Sequence, residues 1–386
     1  MRNYSTVLSD LLRVVPRHRI TKRVAEAGSD YRVRSLSTVQ LLKTMLFGQI
    51  ANAFSLREIE SAMQVHRRRL YHSGMAPVKR STLSDAMAKR NAGVFEAIYN
   101  DLLVLVGQHT RSTRRRFRNP LRAVDSTTIP LSLERFNWAK FRRTKGAVKL
   151  HVAYDVDTAV AEHVIIDRGS SSDITVHPRI SHENDIHVLD RGYLSFKALY
   201  QKHIDEKLFV IRLKEHVNWL PVSPHSQSDS PAIRGDWQAR LQNPRRHSDY
   251  PAPVRIVQYR DLETGKDFLF MTNVWDLTAQ QIADIYKARW QVELFFKWIK
   301  QNLKITTFWG TSRNAVHMQI WVALILYLLV WLHRSMLAGT YSMQRLLQMI
   351  RTALLHRSTI SEIAAASGAP PPVPDLQPDL FARPEP

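Results

Sequence analysis

From Leu121 the chain carries three runs in which apolar residues alternate with polar ones, LRAVDSTTIPL, AVKLHVAYDV and AEHVIIDRG, separated by short connections. A period of two sends successive side chains to opposite faces of a pleated sheet, and strands this close in sequence tend to lie side by side. A fourth apolar run, DIHVLD, ends in Asp190. Gly192 then turns the chain, and Ser195 is placed to cap a helix reaching about Lys202. Strand-like pieces return over residues 208–275 as LFVIRLK, VRIVQY and FLFMTNV, around a polar, Pro- and Ser-rich stretch at roughly 221–252. Thr278-Ala-Gln-Gln281 has capping-box spacing and predicts one long helix to about Leu303. An apolar helix around 314–335 and a weaker helical stretch to about 366 follow. The order is therefore three strands, a poorly defined link, a strand, a helix, a strand-rich insert and then a long helix.

The stretch before these strands has a different texture. Residues 1–118 read as mostly helical. Thr38 to Ala53 has the pattern of an amphipathic helix, and Ser55-Leu-Arg-Glu58 has capping-box spacing. Ser73, Gly74 and Pro77 mark a break. Ser81 or Thr82 then caps STLSDAMAKR, a helix that carries Lys89 and Arg90. A helix, a turn and a basic second helix are what a helix-turn-helix needs to enter a major groove, although small helical domains look alike. Arg114-Arg115-Arg116 reads as a basic linker, suited to phosphates or equally to a solvated tether. The end, from Ala369-Pro-Pro-Pro, reads as disordered.

Charge narrows the partners. The 386 residues include 55 Lys and Arg against 34 Asp and Glu, a formal charge of +21. Residues 1–122 hold 23 of the basic and 8 of the acidic residues, leaving +15 in the first third. Such a basic end attracts polyanions and suggests nucleic acid, the alternative being a solubilising surface. The absence of cysteine excludes disulfide frameworks, thiolate zinc sites and cysteine nucleophiles. The start, MRNYSTVLSDLL, lacks the features of a signal peptide. Ile320 to Leu332 is apolar throughout, but its 13 residues fall short of the roughly 20 that span a bilayer, so it reads as a buried helix. The expectation is a soluble, cytoplasmic, DNA-associated protein with no membrane partner.

The helix expected after Thr278 carries the most chemistry. At about 100° per residue, with Tyr286 at zero, Arg289 falls near −60°, Glu293 near −20° and Lys300 near −40°. These four groups share a stripe about 60° wide. Beside it, Ile285, Val292, Phe296 and Ile299 form an apolar stripe that docks the helix. The polar stripe suits a cleft wall, or equally a solvated face with an Arg289–Glu293 pair.

The spacing Tyr-x2-Arg-x3-Glu-x6-Lys resembles the YREK signature of transposases of insertion-sequence family 4. AVDSTTI and VLDRGY match the surroundings of that family's two aspartates, and FVIRLK and KLH also resemble family sequence. The resemblance is good over about 120–335 and weaker over 1–118. It implies an α/β, RNase H-like mixed sheet flanked by helices, with a β-rich insertion before the last catalytic helix and an all-α N-terminal domain. The divisions it implies are a helical, basic DNA-binding domain over 1–118, a first core part over 119–205 and the insertion over 206–277. A second core part over 278–335, a C-terminal helical region over 336–368 and a tail over 369–386 complete the chain.

The same resemblance makes Asp125, Asp190 and Glu293 a catalytic DDE triad that binds two Mg2+ ions, with Mn2+ able to substitute. Asp125 is expected to bridge both ions, and Asp190 and Glu293 to hold one each. Asp185, Asp173 and Asp167 are rivals for the second place, but none has the strand-then-glycine setting of Asp190. Three converging acids repel one another unless a cation joins them, and paired dications suit in-line phosphoryl transfer. Among the 16 histidines no HxxxH-like cluster suggests a histidine metal site. Tyr286, Arg289 and Lys300 are expected to contact transposon-end DNA, with Arg289 alternatively orienting Glu293. Lys149 and His151 share a face of the second strand and are expected to approach DNA. Thr127, on the face of Asp125, is expected either to support that acid or to be a plain strand residue. An aromatic of the insertion, Trp219 or Trp237, is expected to stack on a flipped base.

The resulting expectation is a transposase that binds terminal inverted repeats as a homodimer on double-stranded DNA, cutting the ends and joining them to target. A DNA-binding relative without catalysis is the alternative. A carboxylate-pair glycosidase would use two acids, but the cations beside Glu293 favour a polyanionic substrate.

Overall fold

The computed structural model describes residues 5–110, 117–176, 184–242, 248–338 and 340–368. The Arg114–Arg116 linker and the tail from Ala369 lie outside the described residues.

Ten strands form one mixed sheet. They are β1 (Leu121–Leu131), β2 (Lys140–Arg142), β3 (Lys145–Asp155), β4 (Val160–Arg168) and β5 (Ile186–Leu189), then β6 (Leu208–Arg212), β7 (Trp219–Pro224), β8 (Ile233–Leu241), β9 (Val254–Arg260) and β10 (Asp267–Thr272). Their order is β2-β3-β1-β5-β6-β10-β9-β8-β7, with β4 also paired to β3. The strands β1, β5 and β6 run parallel, while β3–β4 and the ladders from β6 through β10, β9 and β8 to β7 are antiparallel. The core β4-β3-β1-β5-β6 has the expected RNase H-like form, and it takes in β6 from the stretch expected to be the insertion over 206–277; β10, β9, β8 and β7 extend the sheet as further antiparallel strands.

Each face of the sheet is buried beneath a helix. Leu121, Ile186, Val188, Val210 and Phe270 pack with Ile282, Ile285 and Tyr286 of the helix Ala279–Ala288. The alternate residues Val124, Leu189, Phe209, Ile211 and Met271 pack with Tyr193 and with Leu199 of the helix Phe196–Ile204. The period-two pattern therefore fills two clusters, one on each face.

Four local features differ from the sequence reading. The polar stretch at roughly 221–252 contains part of β7 and all of β8. The strand β7 lies at the sheet edge and is largely exposed, so Pro221 and Pro224 cost it little and apolar alternation is weak. The single helix expected up to Leu303 is two, Ala279–Ala288 and Trp290–Asn302. At the junction the Arg289 N–H bonds to Tyr286 O (3.1 Å), three residues back, so the turn tightens. The helix expected to be capped by Ser81 or Thr82 spans Arg80–Lys89, with Lys79 at the cap position and no side-chain cap. It follows Leu56–Val65 by way of Arg67–Leu70 and Tyr71–Ser73, a longer path than a helix-turn-helix turn. Finally, Thr38–Ile50 is buried on nearly all sides rather than amphipathic.

The chain divides into two compact units. One comprises Met1–Thr113, Ile129–Gly146 and Phe296–Leu376. Its centre is the helix Arg313–Met336, which packs against Gly93–Thr110, Thr38–Ile50, Arg80–Lys89 and Met343–Ala353. That helix is long and apolar enough to cross a membrane, yet 94% of its apolar window is buried inside the protein. It also buries Gln319, whose amide donates to Lys304 O (2.6 Å) and Thr307 O (2.9 Å) and accepts from Trp309 N–H (3.0 Å). Of the described residues, the other unit comprises 117–128 and 147–295, apart from the undescribed stretches within that range.

Candidate active site

Strand register brings the two aspartates together. On β1 and β5, Ala123 pairs with Val188 and Val124 with Leu189, so Asp125 and Asp190 are the next residues along two neighbouring parallel strands. Adjacent strands lie about 4.8 Å apart. Because Val124 and Leu189 point into one cluster, the residues after them point to the opposite face, that of the helix Ala279–Ala288.

The two helices complete the cluster on that face. Tyr286 is buried against Phe270, with ring centroids 4.6 Å apart, and its hydroxyl donates to Asp190 Oδ1 at 3.3 Å. Burial pushes the Tyr286 phenol up to about 12, so it stays protonated and remains a donor. Arg289, at the helix junction, donates through Nη2 to Glu293 Oε1 at 2.5 Å, and its Nη1 lies 3.5 Å from Asp125 Oδ2. Loss of hydration pushes the Asp125 carboxyl up to about 6. Arg289 and the Ser126 N–H, which donates to Asp125 Oδ1 at 2.8 Å, oppose that rise, while Glu293 and Asp190 add to it.

A second group of polar residues lies behind Asp125. The carboxylate of Asp173, a residue outside the triad, accepts from Lys149 Nζ (2.8 Å) and faces His151 Nδ1 (3.3 Å) and the Tyr193 hydroxyl (3.5 Å). The Ser126 side chain also favours the ionised form of this carboxyl. Burial alone would raise the Asp173 pKa, but hydrogen bonds from His151, Lys149 and Ser126 outweigh it and hold the carboxyl well below the ordinary carboxylate range.

The expected DNA-contacting residues are dispersed. Tyr286 and Arg289 stand in the acidic cluster. Lys300 lies seven residues beyond Glu293 on Trp290–Asn302, in the other compact unit, with its ammonium pKa lowered by burial. Lys149 and His151 are turned to Asp173, and His151 is only 1% exposed. Trp219 opens β7 and packs on the core cluster that contains Val254 and Tyr250, and Trp237 donates its indole N–H to Gln258 Oε1 at 3.3 Å. In the helical unit, exposed Lys89 and partly buried Arg90 line an open cleft of about 680 Å³ with Tyr31, Arg32 and Arg34. Arg90 is held there by Leu36 O at 2.7 Å and by Ser29 O. Thr127 is 9% exposed. Sequence reasoning passed over Arg191, exposed in the turn after Asp190, although VLDRGY placed it there. It also missed Ser126 and Tyr193, whose positions beside Asp125 and after Asp190 were the only signal.

Among the described residues, no group of three acidic, histidine or cysteine side chains is close enough to hold a metal ion as it stands. The donors nonetheless suit one. They are carboxylate oxygens, as hard dications prefer, and the Arg289 guanidinium now supplies the positive charge between Asp125 and Glu293.

Residues 116–329, more than half of the chain, match the family described as the transposase DDE domain. Residues 3–76 match a domain of unknown function, DUF4372. The chain is 34% identical over 242 residues to a probable transposase for insertion sequence element IS5377 of Geobacillus stearothermophilus, covering 60% of this chain and 62% of that protein. It is 32% identical over 306 residues to the putative transposase y4zB of Sinorhizobium fredii, covering 78% of this chain and 83% of that protein. Among solved structures, the piggyBac transposase synaptic complex with hairpin DNA aligns with a TM-score of 0.45 at 12% identity, covering 97% of this chain and 84% of that one.

Proposed function

The chain belongs to the DDE transposase family, and we propose that it binds the terminal inverted repeats of an insertion sequence and catalyses their cleavage and strand transfer by cut-and-paste transposition. The observation that carries this reading is the register of Asp125 with Asp190, together with the Arg289 bridge from Asp125 to Glu293. Asp125, Asp190 and Glu293 would hold two Mg2+ ions, or Mn2+ in their place. When bound, such ions stabilise the attacking and leaving oxygens of an in-line displacement at phosphorus.

The protein's own side chains position the reactants. The Tyr286 hydroxyl fixes the carboxylate of Asp190, and the Ser126 N–H fixes that of Asp125. Arg289 balances the acids before DNA arrives and is close enough to take a phosphate of the bound end. Lys300 and Trp219 are further candidates for DNA contact, whereas Lys149 and His151, expected to approach DNA, are turned to Asp173. Lys89 and Arg90, in a cleft with Arg32 and Arg34, give the helical unit a basic surface for duplex phosphates. Holding two ends at once calls for a homodimer in the DNA complex. The work is done on double-stranded DNA in the cytoplasm, without a membrane.

The direct test is incubation with a duplex bearing the element's ends and a target plasmid in Mg2+. Nicking at the element boundary, followed by joining of the freed 3′ end, is expected. End binding without cleavage in either Mg2+ or Mn2+ would instead favour a DNA-binding protein that has lost catalysis.

A further inference from the structure

Asp173 stands outside the triad, yet it connects to both of the triad's aspartates. The Ser126 side chain stands on the Asp173 side of the sheet and helps hold that carboxyl ionised, while the Ser126 N–H donates to Asp125 Oδ1 at 2.8 Å. Its other neighbour, the Tyr193 hydroxyl at 3.5 Å, ends the short turn Arg191–Tyr193, whose Tyr193 N–H bonds back to Asp190 O at 2.9 Å. Ser126 alternates with Asp125, and Tyr193 belongs to the core cluster of Val124 and Leu189. Asp173 therefore acts from the face of the sheet opposite Glu293. Lys149 and His151 of β3 hold it from the third side, and Lys149 also donates to Ser171 O at 3.2 Å.

We infer that Asp173 is a positioning residue that fixes the separation of Asp125 and Asp190 by tying together the middle of β1, the turn after β5 and strand β3. Two acids that must share dications need a set spacing, and a partly buried carboxylate that reaches both strands from behind can supply it. The Lys149 ammonium at 2.8 Å and the His151 ring at 3.3 Å face the Asp173 carboxylate and hold it in place. The pair would then serve the acids from behind instead of touching DNA.

This inference rests on the metal-binding reading of the triad, so its test needs one readout that metal does not enter. Asp173→Asn keeps the shape and loses the charge; Tyr193→Phe removes one connection and leaves the ring in the core. In the metal-free full chain, amide hydrogen exchange over 125–128 and 190–194 is expected to quicken in Asp173→Asn, with β9 and β10 unchanged. In calorimetric titration with Mn2+ alone, and in cleavage of end-bearing DNA, half-saturation is expected at roughly 10–100-fold higher Mn2+. Cleavage at saturating Mn2+ should return towards the wild-type rate. Tyr193→Phe should move each readout the same way by less. Unchanged exchange over 125–128 and 190–194, or an unchanged Mn2+ half-saturation beside altered exchange, would overturn the inference. If exchange quickens as expected but neither wild type nor variant binds Mn2+, the metal reading fails while the tie between the two segments stands.

Discussion

Arg289 grips Glu293 one helical turn further along, its Nη2 2.5 Å from Oε1, while its other terminal nitrogen reaches to 3.5 Å from Asp125. A cation at that place competes with any dication for the same oxygens. Arg289→Ala should therefore bind Mn2+ about tenfold more tightly than wild type in the absence of DNA, the scale of one charged hydrogen bond. Without metal the variant should melt earlier, and Mn2+ should raise its melting temperature more than it raises that of wild type. Calorimetry and thermal shift read the two effects, and weaker Mn2+ binding would mean that Arg289 assists the metal site instead.

The helix behind β5 makes a separate prediction about pH. Lys202 is buried, and its ammonium donates to His187 Nδ1 at 2.9 Å. Burial, with Lys207 adding and Asp205 opposing, pulls its pKa from the ordinary 10.5 down to about 7. Between those values the unfolded chain binds the extra proton, so stability should rise with pH from about 7 to 10.5, by up to about 1.4 kcal/mol per pH unit, and this contribution should be flat below 7. Urea unfolding at a series of pH values should show that rise in wild type and a flatter profile in Lys202→Met.

The extension of the sheet depends on a buried ion pair. Arg255 donates through Nε and Nη2 to the two oxygens of Asp236, at 2.8 Å each, and through Nη1 to Val274 O at 3.0 Å and Leu277 O at 2.6 Å. Both side chains are fully buried. Asp236→Ala strands the guanidinium and should cost about 3–5 kcal/mol in urea unfolding, whereas replacing both residues with apolar ones of similar volume should recover most of the loss. Equal losses in the single and double variants would show that the network of carbonyl bonds, and not the pair, supplies the stability.

Much of the site was legible because its parts follow local rules. Asp125 sits within an alternating run, Asp190 at the end of an apolar one, and Glu293 on a helix with the periodicity of a docked face. The caps at Ser55, Ser195 and Thr278 form as their spacing predicts, although Glu58 reaches past Ser55 to Phe54 N–H at 2.9 Å. What escaped depends on contacts across the fold. The surroundings of Asp173 come from β1, β3 and the turn after β5 meeting, which no pattern within the chain encodes. The interruption at Arg289 is invisible to periodicity because that residue keeps right-handed helical dihedrals, φ −55° and ψ −32°. The strands β7 and β8 lack clean alternation because an edge extension has little apolar burial to advertise.

The sharpest measurement is Mg2+-dependent cleavage of end-bearing DNA by Asp125→Asn, Asp190→Asn and Glu293→Gln, each first shown to be folded and to bind the ends. All three should lose cleavage by roughly 10²–10³-fold or more while end binding persists, as expected when groups that act only in the reaction are removed. Cleavage at the wild-type rate by any one of them would contradict a site built from these three acids.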